Sequence, residues 1–335
     1  MSKENELDGS PLEQLAAASG RDFPNLLKAR EATHEGLGLE TRRVTLGQLR
    51  HDDDVAVVLM GSWGRAEVTA GSDDDFMILV RGADRDAAAP SIEDVKTILD
   101  RAPGDQGIFG EPVASDQLIG RIGLDEDTNS NLSRRMLLLL ESVHATREDI
   151  HEAVRAELVD RYLDESVKNY RVPRFLLNDV VRYWRTMCVD FAGKERRGPE
   201  KWGIRNAKLR TSRKVLFAGG LLPVFECSNR ARDEMPEFLN GQLRMPPTDR
   251  IAYAFLAHGA PDPGGRALGA YDDFLGRLDD DEFREELESV TRDTSKGSPA
   301  FQDAARLGKE LERGLLALLF ETESLPKLAR DYIAF

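Results

Sequence analysis

Apolar and polar positions follow two different rhythms along this chain. Residues 11–20 and 24–37 have helical spacing, with Leu26, Leu27 and Ala32 among the apolar positions, and predict a helical cap within residues 1–50. "TLGQLRHDDD" predicts a short helix running into a turn of solvated acids. "VAVVLMG" (55–61) is a β-branched run closed by glycine and "DFMILVRG" (75–82) is a second; both predict buried strands. "SIEDVKTILDRA" reads as a helix with Ser91 as N-cap and Val95, Ile98 and Leu99 at helical spacing. "QGIFGEPVAS" is a weaker third strand. From about residue 129 the spacing stays helical to the end, interrupted by Gly/Pro-rich joints at 198–203 and 259–270. The pattern predicts an α+β chain: a small mixed-sheet domain over 51–128, then an all-helical domain over 129–335.

Composition narrows the class. With 335 residues, 41% apolar and 32% charged, the chain has the make-up of a water-soluble protein large enough for two domains. A net charge of -14 argues against an extensive nucleic-acid-binding face, since neutralising phosphates requires a surplus of Lys and Arg. Cys188 and Cys227 are the only cysteines and form no disulfide framework, which fits a reducing compartment. The polar start "MSKENELDGS" has no apolar signal core, and "MLLLLESV" is too short to span a bilayer. A cytoplasmic location with no membrane partner is expected.

The chemistry concentrates in "MGSWGRAEVTAGSDDDF" (60–76). Side chains along a strand alternate faces, so Asp73 and Asp75 share one face and Asp74 takes the other. Two adjacent carboxylates repel unless they share a cation, and Mg²⁺, which prefers oxygen ligands, suits such a pair. The plainer alternative is a turn of solvated acids or an Arg–Asp cluster. Upstream, Gly61 closes the first strand and Ser62 opens a short turn. Backbone N–H groups at such a turn, a hydroxyl donor and a glycine that lets a ligand approach together suit a phosphate. A phosphate cradle ahead of a metal-binding carboxylate pair is what chemistry on a nucleoside triphosphate requires.

The pattern G-S-x-G-R-x-E-x4-S-D-x-D, carried by Gly61, Ser62, Gly64, Arg65, Glu67, Ser72, Asp73 and Asp75, resembles the signature of the DNA polymerase β-like nucleotidyltransferase superfamily. The G-R-x-E element is most similar to the branch of PII-uridylyltransferases and glutamine-synthetase adenylyltransferases. The resemblance covers roughly 25 residues of motif and the strand–turn–strand order around it. It implies that the α/β domain is a nucleotidyltransferase domain and that Gly61 and Ser62 hold the triphosphate. It further implies that Asp73 and Asp75 hold two Mg²⁺ ions, with Mn²⁺ as a substitute. The implied reaction is attack of an acceptor hydroxyl on the α-phosphate of an NTP, releasing pyrophosphate. Arg65 either contacts phosphate or pairs with Glu67. Family members usually carry a third carboxylate on the next strand; here Glu111 is the best-placed candidate and Asp116 the next. No phosphohydrolase-type H-D pair follows.

In the helical half, residues 194–214 hold nine Lys/Arg against two Glu. Arg205 and Lys208 share a helix face by i, i+3 spacing. In nucleotidyltransferases a following helical domain commonly closes over the nucleotide, and Lys208 is the candidate to reach the triphosphate; a solvated basic helix is the alternative. "LDEDTN" (124–129) reads as a helix cap supplied by Asp127 or Thr128 rather than as a metal loop. The expected activity is an NMP transferase whose acceptor is a protein, an RNA end such as that of tRNA, or a small molecule. The alternatives are a synthase of nucleotide second messengers and a non-catalytic, nucleotide-sensing or antitoxin-like regulator on a degenerate transferase fold.

Overall fold

The computed structural model describes residues 9–46, 54–83, 95, 99, 112–124, 126–164, 166–198 and 200–334. The chain is mostly helical with one four-stranded mixed sheet, an α+β arrangement. It divides into two compact units: Leu27–Tyr183 with Glu226–Pro246, and Met1–Leu26 with Trp184–Phe225 and Pro247–Phe335. Among the described residues no helix is long and apolar enough to cross a membrane.

The first of these units holds the sheet. Its strands are β1 (Val55–Met60), β2 (Phe76–Val80), β3 (Pro112–Ala114) and β4 (Ser142–His144), in the order β3-β2-β1-β4. β1 runs antiparallel to β2, with Leu59 opposite Phe76, and antiparallel to β4, with Leu59 opposite Val143. β3 lies parallel to β2, Pro112 opposite Ile78. Val57, Leu59, Phe76 and Ile78 on one face cluster with Trp63, Val95, Leu99 and Ala145. Ala56, Val58, Met60, Met77 and Leu79 on the other are equally buried, so both central strands are covered on two sides. That explains their unbroken β-branched and aliphatic runs. Each such side chain contributes about 1.5–3 kcal/mol on burial.

Several expectations change. The helix expected to continue through "LLLLESV" ends at Leu140, as α4 (Asn129–Leu140), and the chain then pairs as β4 on the edge of β1. A three-residue strand has no room for a period-two pattern, and Glu141, at φ -148°, makes the corner. Thr128, not Asp127, caps α4 by accepting the Asn131 N–H at 3.1 Å. Asp127 instead takes both Nη atoms of Arg135, at 2.8 and 2.6 Å. The helix read around Val95 and Leu99 is described only at those two residues, joined by a Leu99 N–H to Val95 carbonyl bond of 3.0 Å. His51, Asp52 and Asp53 lie outside the described residues.

Arg135 is fully buried and anchors this unit. Besides Asp127, its guanidinium reaches Asp179 at 3.0 Å on α6 (Arg174–Arg197) and Tyr162 Oη at 3.0 Å on α5 (Glu148–Tyr162); Tyr162 donates to Asp179 at 2.7 Å. Burial disfavours the arginine charge, but the Asp127 carboxylate and Tyr162 outweigh it and raise its pKa. Burial, then Asp179, push the Tyr162 hydroxyl well above its usual range, so it remains a donor.

The other unit is helical among its described residues. It comprises α1 (Pro11–Ser19), the start of α2 (Pro24–Leu46), part of α6, α7 (Trp202–Arg210), α8 (Ser212–Glu226, as far as Phe225), α10 (Pro247–Ala257), α11 (Pro261–Leu278), α12 (Asp281–Ser289), α13 (Pro299–Glu321) and α14 (Leu325–Ala329); α9 (Met235–Arg244) belongs with the sheet. α1 opens with a Ser10/Glu13 capping box and closes on left-handed Gly20. The expected Gly/Pro-rich joint at 259–270 is mostly helix. A Cβ on Gly265 would stand 2.6 Å from the Ser19 side chain, and one on Gly276 2.7 Å from that of Asn25. These glycines let the α1–α2 connection lie directly on α11. Asp272 of α11 then accepts the Leu26 N–H and the Asn25 amide, both at 2.8 Å.

Arg135→Ala would leave the buried Asp127 without this cation and Asp179 with the more exposed Arg182, and about 3–5 kcal/mol of stability should be lost, read from urea unfolding midpoints. A second test concerns His151 of α5, whose ring Nε2 lies 2.8 Å from Ser142 Oγ. Burial, then Arg155 and His144, push its pKa down to about 2, and Glu152 faces its Nδ1 at 3.5 Å. The folded state keeps this ring neutral while the unfolded chain protonates near pH 6.5. Stability should therefore fall as pH drops below 6.5, by about 1.4 kcal/mol per pH unit from this group alone. The difference in slope between the native chain and His151→Gln, measured from pH 7 to 5, isolates it.

Candidate functional site

The β1–β2 connection is built almost entirely by the motif residues. β1 ends at Met60, and Gly61 follows at φ +67°, a conformation that L side chains rarely adopt. The Gly61 carbonyl accepts the Arg65 N–H at 3.0 Å and the Ser62 carbonyl accepts the Glu67 N–H at 2.9 Å, winding residues 61–66 into one turn. Ala66, at φ +57°, closes it. The chain beyond is held by Thr33 Oγ1, which accepts the Val68 N–H at 3.0 Å. Ser72 folds the loop on itself, its Oγ accepting the Thr69 N–H at 2.9 Å.

That loop returns the aspartates to the end of β1. The Asp75 carbonyl accepts the Met60 N–H at 2.9 Å, extending the strand pairing by one residue. The Asp75 carboxylate oxygen Oδ2 lies 3.5 Å from where a Gly61 Cβ would stand. Exposure alternates along the aspartates: Asp73 exposed, Asp74 buried, Asp75 half-buried. Asp74, given no role from the sequence, accepts the Trp63 indole N–H at 3.0 Å and ties the turn to the loop.

Glu141 is the residue that sequence reasoning missed. Its side chain is wholly buried. Arg65 Nη1 donates to its Oε2, Arg65 Nε donates to Glu67 Oε2 at 2.8 Å, and Tyr183 Oη donates to Glu141 Oε1 at 3.1 Å. The Glu141 carbonyl accepts the Gly61 N–H at 3.1 Å. A Cβ on Gly64 would stand 2.0 Å from the Glu141 carbonyl carbon, so the two backbones are in direct contact. Gly61, Gly64, Arg65 and Glu67 thus all bear on one buried acid or on its partner. The signal for it was present: an acid directly after "MLLLL" needs a cation or a donor if it is buried.

The remaining candidates are placed as follows. Glu111 lies outside the described residues. Asp116, on α3 (Ser115–Ile119), donates its N–H to Gly82, beyond the end of β2, whereas Asp75 precedes the start of that strand. The two acids are at opposite ends of β2, so Asp116 does not complete the Asp73–Asp75 pair. Lys208 is exposed on α7 and belongs to the helical unit. On α6, Asn178 bonds Asp179, as does Arg182 at 3.2 Å.

Among the described residues no three His, Cys, Asp or Glu side chains cluster to hold a metal. The oxygen donors of Asp73 and Asp75 fit a hard cation that takes one or two protein carboxylates and fills its other positions with water and phosphate oxygens.

Two substitutions separate the two glycines. Gly61→Ala meets no atom closer than the 3.5 Å Asp75 contact and should cost about 1–2 kcal/mol from its positive φ. Gly64→Ala drives a methyl into the Glu141 backbone and should cost at least about 3 kcal/mol. Thermal or urea unfolding of both variants checks the order.

Comparison with known proteins adds no family: no family model matches the chain, and no curated protein matches it.

Proposed function

We propose that this chain is a Mg²⁺-dependent nucleotidyltransferase that moves an NMP from an NTP to an acceptor hydroxyl with release of pyrophosphate. The observation that supports it best is the approach of the Asp75 carboxylate to Gly61, 3.5 Å from its absent Cβ. The turn proposed to bind phosphate and Asp75, one of the acids proposed to bind metal, therefore meet at one end of the β1–β2 pair, although thirteen residues lie between Gly61 and Asp75.

In this reading Gly61 serves by what it lacks, since its own N–H is taken by Glu141. The Ser62 hydroxyl and the backbone amides after it are the phosphate donors. Asp73 and Asp75 hold the metal, which neutralises charge on the phosphate oxygens and the leaving pyrophosphate. Arg65 acts as a positioning residue, because its guanidinium is engaged by Glu67 and Glu141. Glu111 is proposed as the third acid, receiving the acceptor hydroxyl proton. A protein side chain, an RNA end and a small molecule all present the hydroxyl the reaction needs.

Incubating the chain with each of the four labelled NTPs and Mg²⁺ or Mn²⁺ should yield pyrophosphate with at least one of them. Asp73→Asn and Asp75→Asn should each reduce release to background while the fold, followed by circular dichroism, is retained. Pyrophosphate release unchanged in the double variant would refute the metal assignment. NTP binding without turnover under all conditions would favour a nucleotide-sensing protein.

A further inference from the structure

The helical unit contains a second candidate site, unrelated to the β1–β2 turn. Helices α6, α8 and α13 enclose a pocket of about 250 Å³. Its walls are mostly carbon, with Trp184, Phe217, Leu221 and Leu318 among them. Trp184 and Phe217 stack with ring centroids 5.4 Å apart, forming a flat aromatic wall. Leu316 also lines it and is 43% exposed, which marks the side where the pocket meets solvent.

Two charged side chains interrupt the apolar lining, Lys214 and Glu312. They are ion-paired, and Lys309 donates to the same carboxylate at 2.9 Å. Hydrogen bonds from Lys214 and Lys309 hold the Glu312 carboxyl down at about 2, so it is an anion throughout the physiological range. Lys309 is exposed and lies outside the lining, so the pocket itself presents one ammonium, Lys214, whose carboxylate partner is also neutralised by Lys309.

We propose that this pocket binds a medium-chain carboxylate, its apolar tail along the Trp184, Phe217 and Leu221 walls and its head on the Lys214 ammonium. The carbon walls gain little from water, because apart from Lys214 and Glu312 the lining side chains offer it almost no hydrogen bonds. A volume of about 250 Å³ exceeds the ~150 Å³ that suffices for a single benzene ring, so a chain of roughly eight carbons is the expected size. The head group is set by charge. A carboxylate can share Lys214 with Glu312, which Lys309 also neutralises, whereas an amine would bring a third cation to one acid.

Calorimetric titration of the full chain with hexanoate, octanoate, octan-1-ol and octylamine, all below their micelle concentrations, tests this. Octanoate should bind saturably at one site, about fourfold more tightly per added methylene than hexanoate. Octanol and octylamine should bind at least tenfold more weakly. Leu316→Asp, at an exposed position, puts a negative charge at the opening and should weaken octanoate at least tenfold; Ala218→Phe fills the cavity and should abolish binding. If Ala218→Phe does not fold, Leu316→Asp alone decides. No saturable binding, no gain with chain length, equal binding of octylamine or octanol, or indifference to Leu316→Asp would each overturn the proposal. So would a concentration-dependent dimer, seen by light scattering, that Leu316→Asp dissociates and octanoate does not: the pocket would then serve a second copy of the chain.

Discussion

A carboxylate with no access to water must be met by donors, and much of the sheet-bearing unit is arranged around one such group. Glu141 sits at the corner between α4 and β4 with its side chain fully buried. Arg65 and Tyr183 satisfy its oxygens, and its backbone receives the Gly61 amide and touches Gly64. The shape of the turn after β1 follows from these contacts. A residue larger than glycine at position 64 would separate the turn from the corner, and loss of Arg65 would leave the acid short of its cation. Breaking one partner of such a buried pair is costly because the charge left behind is uncompensated.

The same physics operates at Arg135, on the same helix as the approach to Glu141. There the charges are reversed: one buried cation is surrounded by Asp127, Asp179 and Tyr162. α4 therefore carries a satisfied polar centre within it and another just after it, and its register is fixed by both. Apolar burial alone tolerates slippage and repacking, whereas a bidentate Arg–carboxylate pair has one geometry. The helical unit relies on a different device. Glycines on α11 leave room for the Ser19, Arg21 and Asn25 side chains, and the buried Asp272 accepts the Leu26 N–H in the first turn of α2.

This division of labour bears on the proposed chemistry. The motif residues Gly64, Arg65, Glu67 and Ser72 are occupied in holding the turn and loop, and Asp74 holds Trp63. Gly61, Ser62, Asp73 and Asp75 are the members assigned to a ligand in the proposed function. A turn fixed by buried charge on one side can present amides and carboxylates on the other without rearranging, which favours binding of a charged substrate.

How much of this was legible beforehand can be traced element by element. The two central strands were plain in the sequence, because burial on both faces demands the unbroken apolar runs at 55–60 and 76–80. The three aspartates alternate in exposure as the period-two reading expected, although all three precede β2. The amphipathic helices announced themselves through their spacing. β3 fell within the weak strand read at 106–115, but the three-residue strand β4 did not announce itself, since so few residues carry no period. Nor did the helical state of 261–270, where glycine and proline suggested a joint until the packing of α11 explained them. Glu141 stands furthest from local reading: its cation, Arg65, lies 76 residues earlier in the chain. Sequence by itself determined where apolar surface had to be buried and which residue types crowd the β1–β2 turn. Only the tertiary structure decided which charges meet, because ion pairing depends on distance in space, and hydrophobic periodicity reports only on neighbours along the chain.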